Sequence, residues 1–300
     1  LSACQKQQFH IEGIVENAQD STLYLENMSL NGPVVVDSVR LKADGQFSFA
    51  QKGVDAPEFY RLRIGREMVN LSVDSTETVT VKGIYPGFSS NYTVEGSDNC
   101  QKIRELALKQ MQLQNVINEI AALPTLGVKA VEDSVQRVLQ TYKDDVKKNY
   151  IFKAPNKAYA YYALFQSFQL GMFQGLIFNP RNSEDDVKAF AAVATSWDNF
   201  YPGAERGENL HNIAIEGMKN VRILRSQQQQ SVEVEGVENL NIIDLNLVDN
   251  KGHERRLTDL KGKVVLLDFH MFANDNCLYR ILMQKLPHCF KSATATRLIK

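Results

Sequence analysis

The residues of this chain best suited to chemistry surround Cys277, in the stretch "GKVVLLDFHMFANDNCLYR" from 262 to 280. An apolar, strand-like run ends there in a polar turn, and Cys277 follows at the predicted start of a helix. Backbone amides at a helix N-terminus lower the pKa of a thiol and favour the nucleophilic thiolate. A redox site is often built in this way, although this stretch contains a single cysteine.

The other cysteines are Cys4, Cys100 and Cys289, and none of them forms a C-x-x-C pair of the kind that binds zinc. The five histidines show no spacing typical of a pair of metal ligands. The sequence therefore predicts no metal site and no bound cofactor. Cys100 lies at another predicted helix start, and we interpret it as a partly buried small residue rather than a reactive thiol.

Composition limits the function classes. The formal net charge of −1 gives no basic excess, so no nucleic-acid partner is expected. A chain of 300 residues is long enough for several domains. No apolar stretch approaches the roughly 18–20 residues that cross a bilayer. The nearest, residues 158–178, is interpreted as one or two buried helices.

Residues 9–96 are predicted to form an antiparallel β-sandwich domain, because short alternating runs are separated by turn residues at short intervals. Asp44-Gly45, between "VRLKA" and "QFSFA", predicts a tight hairpin turn.

From residue 97 to 225 the apolar residues recur at steps of three and four, which predicts a helical domain. Ser183, followed by acidic residues, is the predicted N-cap of one helix. Two helices at coiled-coil-like spacing could provide a surface for a protein partner or for self-association.

The polar stretch 226–239 is predicted to be a linker, and the pattern of residues 240–300 then changes to strand, turn, short loop and buried strand.

The stretch "IDLNLVDNKGHERRLTDLKGKVVLLDF" resembles the opening of thioredoxin-like lipoproteins of the TlpA/ResA and peroxiredoxin-like group. "FHIEGIVENAQDSTLYLEN", "VVVDSVRLKADGQFSF" and "VEGSDN" resemble a β-rich domain of unknown function that often precedes them. The resemblance implies a multidomain α+β chain with a thioredoxin-like α/β domain at 240–300. It also implies an ancestral thiol–disulfide oxidoreductase, whose first cysteine attacks a disulfide and whose second cysteine resolves the mixed disulfide.

Two departures from that family argue against the ancestral reaction. Aligned from Phe269, the chain has Asn274 at the position of the attacking cysteine, whereas Cys277 falls on the resolving position. An amide cannot attack a disulfide. Only 23 residues follow Cys277, so the thioredoxin-like domain is expected to be incomplete, with a truncated or frame-shifted tail; the alternative is a real, reduced domain whose tail adds a strand such as "TATRLI". We therefore expect a redox-inactive protein with a binding or structural role; the alternative is an active envelope oxidoreductase or a peroxiredoxin-like enzyme.

Residues 1–8 carry a separate signal, because "LSAC" followed by "QKQQ" resembles a bacterial lipobox and a polar tether. The alternative is a chance tetrapeptide. The resemblance implies a signal sequence ahead of Leu1 and lipidation of Cys4, which would anchor the chain to a membrane. No aspartate follows Cys4, so the resemblance implies the outer membrane and a protein that faces the periplasm.

In that oxidising compartment Cys277 and Cys289 could pair, but the sequence leaves the bridged and free states open.

Overall fold

The computed structural model describes residues 7–124, 127–235, 246–248 and 251–260. The chain divides into two compact units, Leu1–Ser226 and Gln227–Lys300. Each unit is described by itself below.

The first unit begins with eight strands in two four-stranded sheets. The strands are β1 (Gln8–Glu16), β2 (Thr22–Ser29), β3 (Gly32–Arg40), β4 (Gln46–Lys52), β5 (Glu58–Ile64), β6 (Glu67–Val73), β7 (Thr78–Ile84) and β8 (Tyr92–Glu95). One sheet has the order β4-β1-β7-β8 and the other the order β3-β2-β5-β6. Sheets in the N-terminal region with helices after them confirm the predicted mixed α+β class.

The two sheets share one hydrophobic core, an arrangement that fits a β-sandwich. Alternate residues of β4, β7 and β8 are buried, as the period of two requires, whereas β3 has no buried residue. Phe9 and Ile11 of one sheet lie in the same cluster as Leu25 and Leu62 of the other. The sandwich is not purely antiparallel as predicted, because β1 pairs with β7 in parallel from His10↔Thr78 to Glu16↔Ile84. The long connection between β1 and β7 passes through the other sheet and allows this parallel pairing.

The predicted turn at Asp44-Gly45 forms, but it does not make a hairpin. Gly45 has a φ of +64°, and a Cβ there would clash with the carbonyl group of Val15. The strands on either side of this turn, β3 and β4, belong to different sheets. Tight hairpins instead join β2 to β3 through Leu30-Asn31 and β5 to β6 through Gly65-Arg66, where Gly65 has a φ of +58°.

Five helices follow: α1 (Asp98–Ala121), α2 (Val128–Val146), α3 (Ala158–Leu164), α4 (Glu184–Phe200) and α5 (Glu205–Glu235), and α2 continues into a π-helical turn at Lys147–Ile151. The predicted cap at Ser183 is present, since its side chain accepts a hydrogen bond from the Asp186 amide. Trp197, Phe190 and Ile117 contribute to a second core between these helices. Helix α5 extends to Glu235, into the stretch predicted as a linker, because the residues between Gly217 and Gly236 include no glycine or proline.

The prediction of only buried helices for residues 158–178 is wrong beyond α3. The chain there forms a β-hairpin of β9 (Ser167–Leu170) and β10 (Phe173–Leu176). Gly171, with a φ of +58°, makes the turn, and a left-handed residue of this kind ends helical continuity.

Beyond the end of α5, the described residues of the second unit form a short antiparallel hairpin. Strand β11 (Asn246–Val248) pairs with β12 (Glu254–Arg256), and a 3-10 turn follows at Leu257–Leu260. The sequence predicts a strand and a turn in this region. The buried strand and helix expected after them lie outside the described residues.

Candidate functional site

The site residues predicted from the sequence lie outside the described residues. These are Cys4, the predicted lipid anchor, Asn274 and Cys277 at the degenerate redox motif, and Cys289, the second member of the predicted disulfide. The redox and anchoring hypotheses therefore stay predictions, and a site has to be sought in the described part of the chain.

Cys100 is the cysteine that the described residues contain, and its thiol is buried at the start of α1. The Sγ atom donates a hydrogen bond to the Ser72 carbonyl oxygen at 3.0 Å and accepts one from the Ser72 amide at 3.3 Å. Burial raises the pKa of the Cys100 thiol to about 11, despite its place at a helix N-terminus. Desolvation outweighs the helix dipole here, so this thiol ties α1 to β6 and is not a nucleophile.

A polar cluster lies where the β6–β7 turn meets the first turn of α1. Asn99 Nδ2 donates to Asp74 Oδ2 at 2.6 Å, and the Asp74 amide donates to Glu77 Oε1 at 2.8 Å. The Oδ1 atoms of Asp74 and Asn99 are both buried without a hydrogen-bond partner among the described residues. Burial raises the pKa of the Asp74 and Glu77 carboxyl groups, while the Lys157 charge lowers that of Asp74. The hydrogen bond between Asn99 and Asp74 thus fastens the β6–β7 turn to the first turn of α1.

Arg206 occupies the joint between the sheets and the helices, beside a cavity of about 240 Å³ lined by residues 53–58 and 204–206. Its guanidinium donates to Glu58 Oε2 at 2.8 and 3.2 Å and to the Met28 carbonyl oxygen at 2.6 Å. Its central carbon lies 5.0 Å from the centre of the Phe59 ring and 5.7 Å from that of Tyr161. These contacts engage the guanidinium within the protein, so Arg206 fastens β5 to α5 rather than binding an anion in the cavity.

A second buried ion cluster anchors the start of α4. Asp186 is fully buried, with Lys143 Nζ 2.6 Å from its Oδ2 and Lys147 Nζ 3.6 Å from its Oδ1. The Asn179 amide also donates to Oδ2, at 2.9 Å. The π-helical turn that contains Lys147 therefore has a structural partner, and this cluster connects α2 to α4.

The β9–β10 hairpin is clamped along α1 by two glutamines. Gln110 Nε2 donates to the Ser167 carbonyl oxygen at 2.6 Å, and one turn later Gln114 Nε2 donates to the Gln169 carbonyl oxygen at 2.8 Å. The Gln169 amide returns a bond to Gln114 Oε1 at 2.8 Å. Strand β9 thus runs in the direction of α1. Its turn consequently lies at the same end of the unit as the α1–α2 connection.

This end, which we call the hairpin end, exposes four large apolar side chains. Met172 is completely exposed, Val128 is 78% exposed, Phe173 62% and Leu123 49%. Met172 and Phe173 belong to the hairpin turn, whereas Leu123 and Val128 flank the α1–α2 connection. Met172 and Phe173 are adjacent in the chain, and adjacent exposed apolar side chains mark an interaction surface more often than isolated ones do. The hairpin end is therefore the candidate functional site.

The sequence contained a weak signal for this site. Gly171 interrupts a stretch, residues 158–180, that has no charged residue, and a turn glycine inside such a stretch predicts an apolar turn. Arg206 had no such signal, since its partner Glu58 is 148 residues away in the chain.

A family model matches part of the chain. The family described as a domain of unknown function (DUF4369) matches residues 9–102, which covers the strands of both sheets and the start of α1. No curated protein and no solved structure matches the chain.

Among the described residues, no three His, Cys, Asp or Glu side chains are grouped as metal ligands would be. No helix in this part of the chain is both long and apolar enough to cross a bilayer.

Proposed function

We propose that this chain is a lipid-anchored envelope protein with a binding or structural role, in which the helical layer offers the hairpin end to a protein partner. The observation that carries the proposal is the completely exposed Met172 beside Phe173 at the turn of a clamped hairpin. Burying one such side chain in an interface contributes roughly 1.5–3 kcal/mol. Because Gln110 and Gln114 already hold the strand in place, little conformational freedom is lost on binding.

Photo-crosslinking in cells tests the docking role. A photoreactive phenylalanine analogue is placed at position 172 and, as the control, at position 200, where Phe200 at the end of α4 is 62% exposed, as Phe173 is. We expect a defined adduct from position 172 and none from position 200. Absence of an adduct at 172, or equal adducts at both positions, would contradict the proposal.

The redox part of the proposal rests on Asn274, whose amide replaces the attacking thiol of the thioredoxin-like pattern. It is supported by the burial of Cys100, which leaves the described residues without a reactive thiol. The alternative, an active thiol–disulfide oxidoreductase, rests on the resemblance of residues 243–269 alone. Insulin reduction with dithiothreitol separates the two, since we expect no turnover above that of the Cys277→Ser variant, and clear turnover above it supports the enzyme.

The anchoring part of the proposal rests on the lipobox-like residues around Cys4. Strand β1 begins at Gln8, so a lipid on Cys4 would place the β sheets close to the membrane, on its periplasmic side. Radiolabelled palmitate tests this in cells that express the chain behind a lipoprotein signal sequence. We expect label in the parent chain, and label that survives Cys4→Ala would refute the anchor.

A further inference from the structure

We draw no further inference here: the strongest candidate, the exposed valine patch of Val34, Val35 and Val36 on the edge strand β3, carries none, because nothing among the described residues shows what covers it.

Discussion

Replacing Arg206 by methionine should lower the free energy of unfolding of the first unit by about 3 kcal/mol. Methionine keeps most of the apolar stem and removes the charge and every donor. The guanidinium is 7% exposed and joins two parts of the unit, because its partners Glu58 and Met28 belong to the sheets while Arg206 starts α5.

The magnitude follows from three contacts. The hydrogen bond to the Met28 carbonyl oxygen comes from a charged donor and contributes about 2 kcal/mol. The pair with Glu58 is discounted to about 1 kcal/mol, because the Glu58 side chain is 33% exposed and solvent screens it. Stacking on Phe59 and Tyr161 adds about 1 kcal/mol. The substitution also removes the desolvation cost of the buried charge, which reduces this sum by about 1 kcal/mol.

Urea unfolding followed by fluorescence provides the assay. Trp197 is the single tryptophan of the chain and is fully buried in the helical core, so its emission reports on that core. The matched control is Arg40→Met, which removes an exposed pair with Asp20 and should cost less than about 0.5 kcal/mol. In a double-mutant cycle with Glu58→Gln we expect a coupling of about 1 kcal/mol. A loss for Arg206→Met no larger than that of Arg40→Met would refute the assignment of Arg206 as the joint.

Three further predictions concern other parts of the first unit. Burial raises the pKa of Asp74 above its ordinary value of 3.8, so the stability gained by its protonated carboxyl is complete below that value and is lost as pH rises through the folded-state pKa. Asp74→Asn should therefore raise stability at pH 7.5 and flatten the pH dependence in urea titrations; a less stable variant at pH 7.5 would contradict this. In a chain with its other cysteines replaced by serine, Cys100 should resist a thiol-specific disulfide reagent at pH 8 until urea is added, whereas rapid labelling of the native chain would show an accessible thiolate. Gly45→Ala should cost about 2 kcal/mol, because it combines backbone strain with a clash on Val15. Gly171→Ala, which has strain alone, should cost about 1 kcal/mol, and equal losses in calorimetric melts would be inconsistent with the packing around Gly45.

Local patterns in the sequence were sufficient to predict much of the fold. Alternation of apolar residues predicts the β-rich start, the three- and four-residue period predicts α1 and α2, and Ser183 is a cap because its side chain acts only a few residues along the chain. Strand partners were harder to predict. Both Leu30-Asn31 and Asp44-Gly45 turn the chain, and only the choice of sheet, which long-range packing makes, separates the hairpin from the crossover.

The candidate site was less accessible from the sequence for the same reason. The run around Phe168 and Phe173 is apolar enough for a buried helix, and periodicity cannot distinguish that helix from a hairpin whose turn projects. The hairpin is favoured over the helix by Gln110 and Gln114 of α1. Their side chains donate hydrogen bonds to backbone carbonyl groups of β9, more than fifty residues later in the chain. A local pattern does not record such a contact.

The most direct test of the docking role is a binding titration. The protein recovered as the adduct at position 172 is purified and titrated calorimetrically with the full parent chain, with the Met172→Ser, Phe173→Ser double variant and with Phe200→Ser. Loss of two central apolar anchors should weaken binding at least about tenfold, whereas Phe200→Ser, at an equally exposed phenylalanine away from the hairpin, should leave it within about twofold. Equal affinities for the parent chain and the double variant would contradict the claim that this protein acts through its hairpin end.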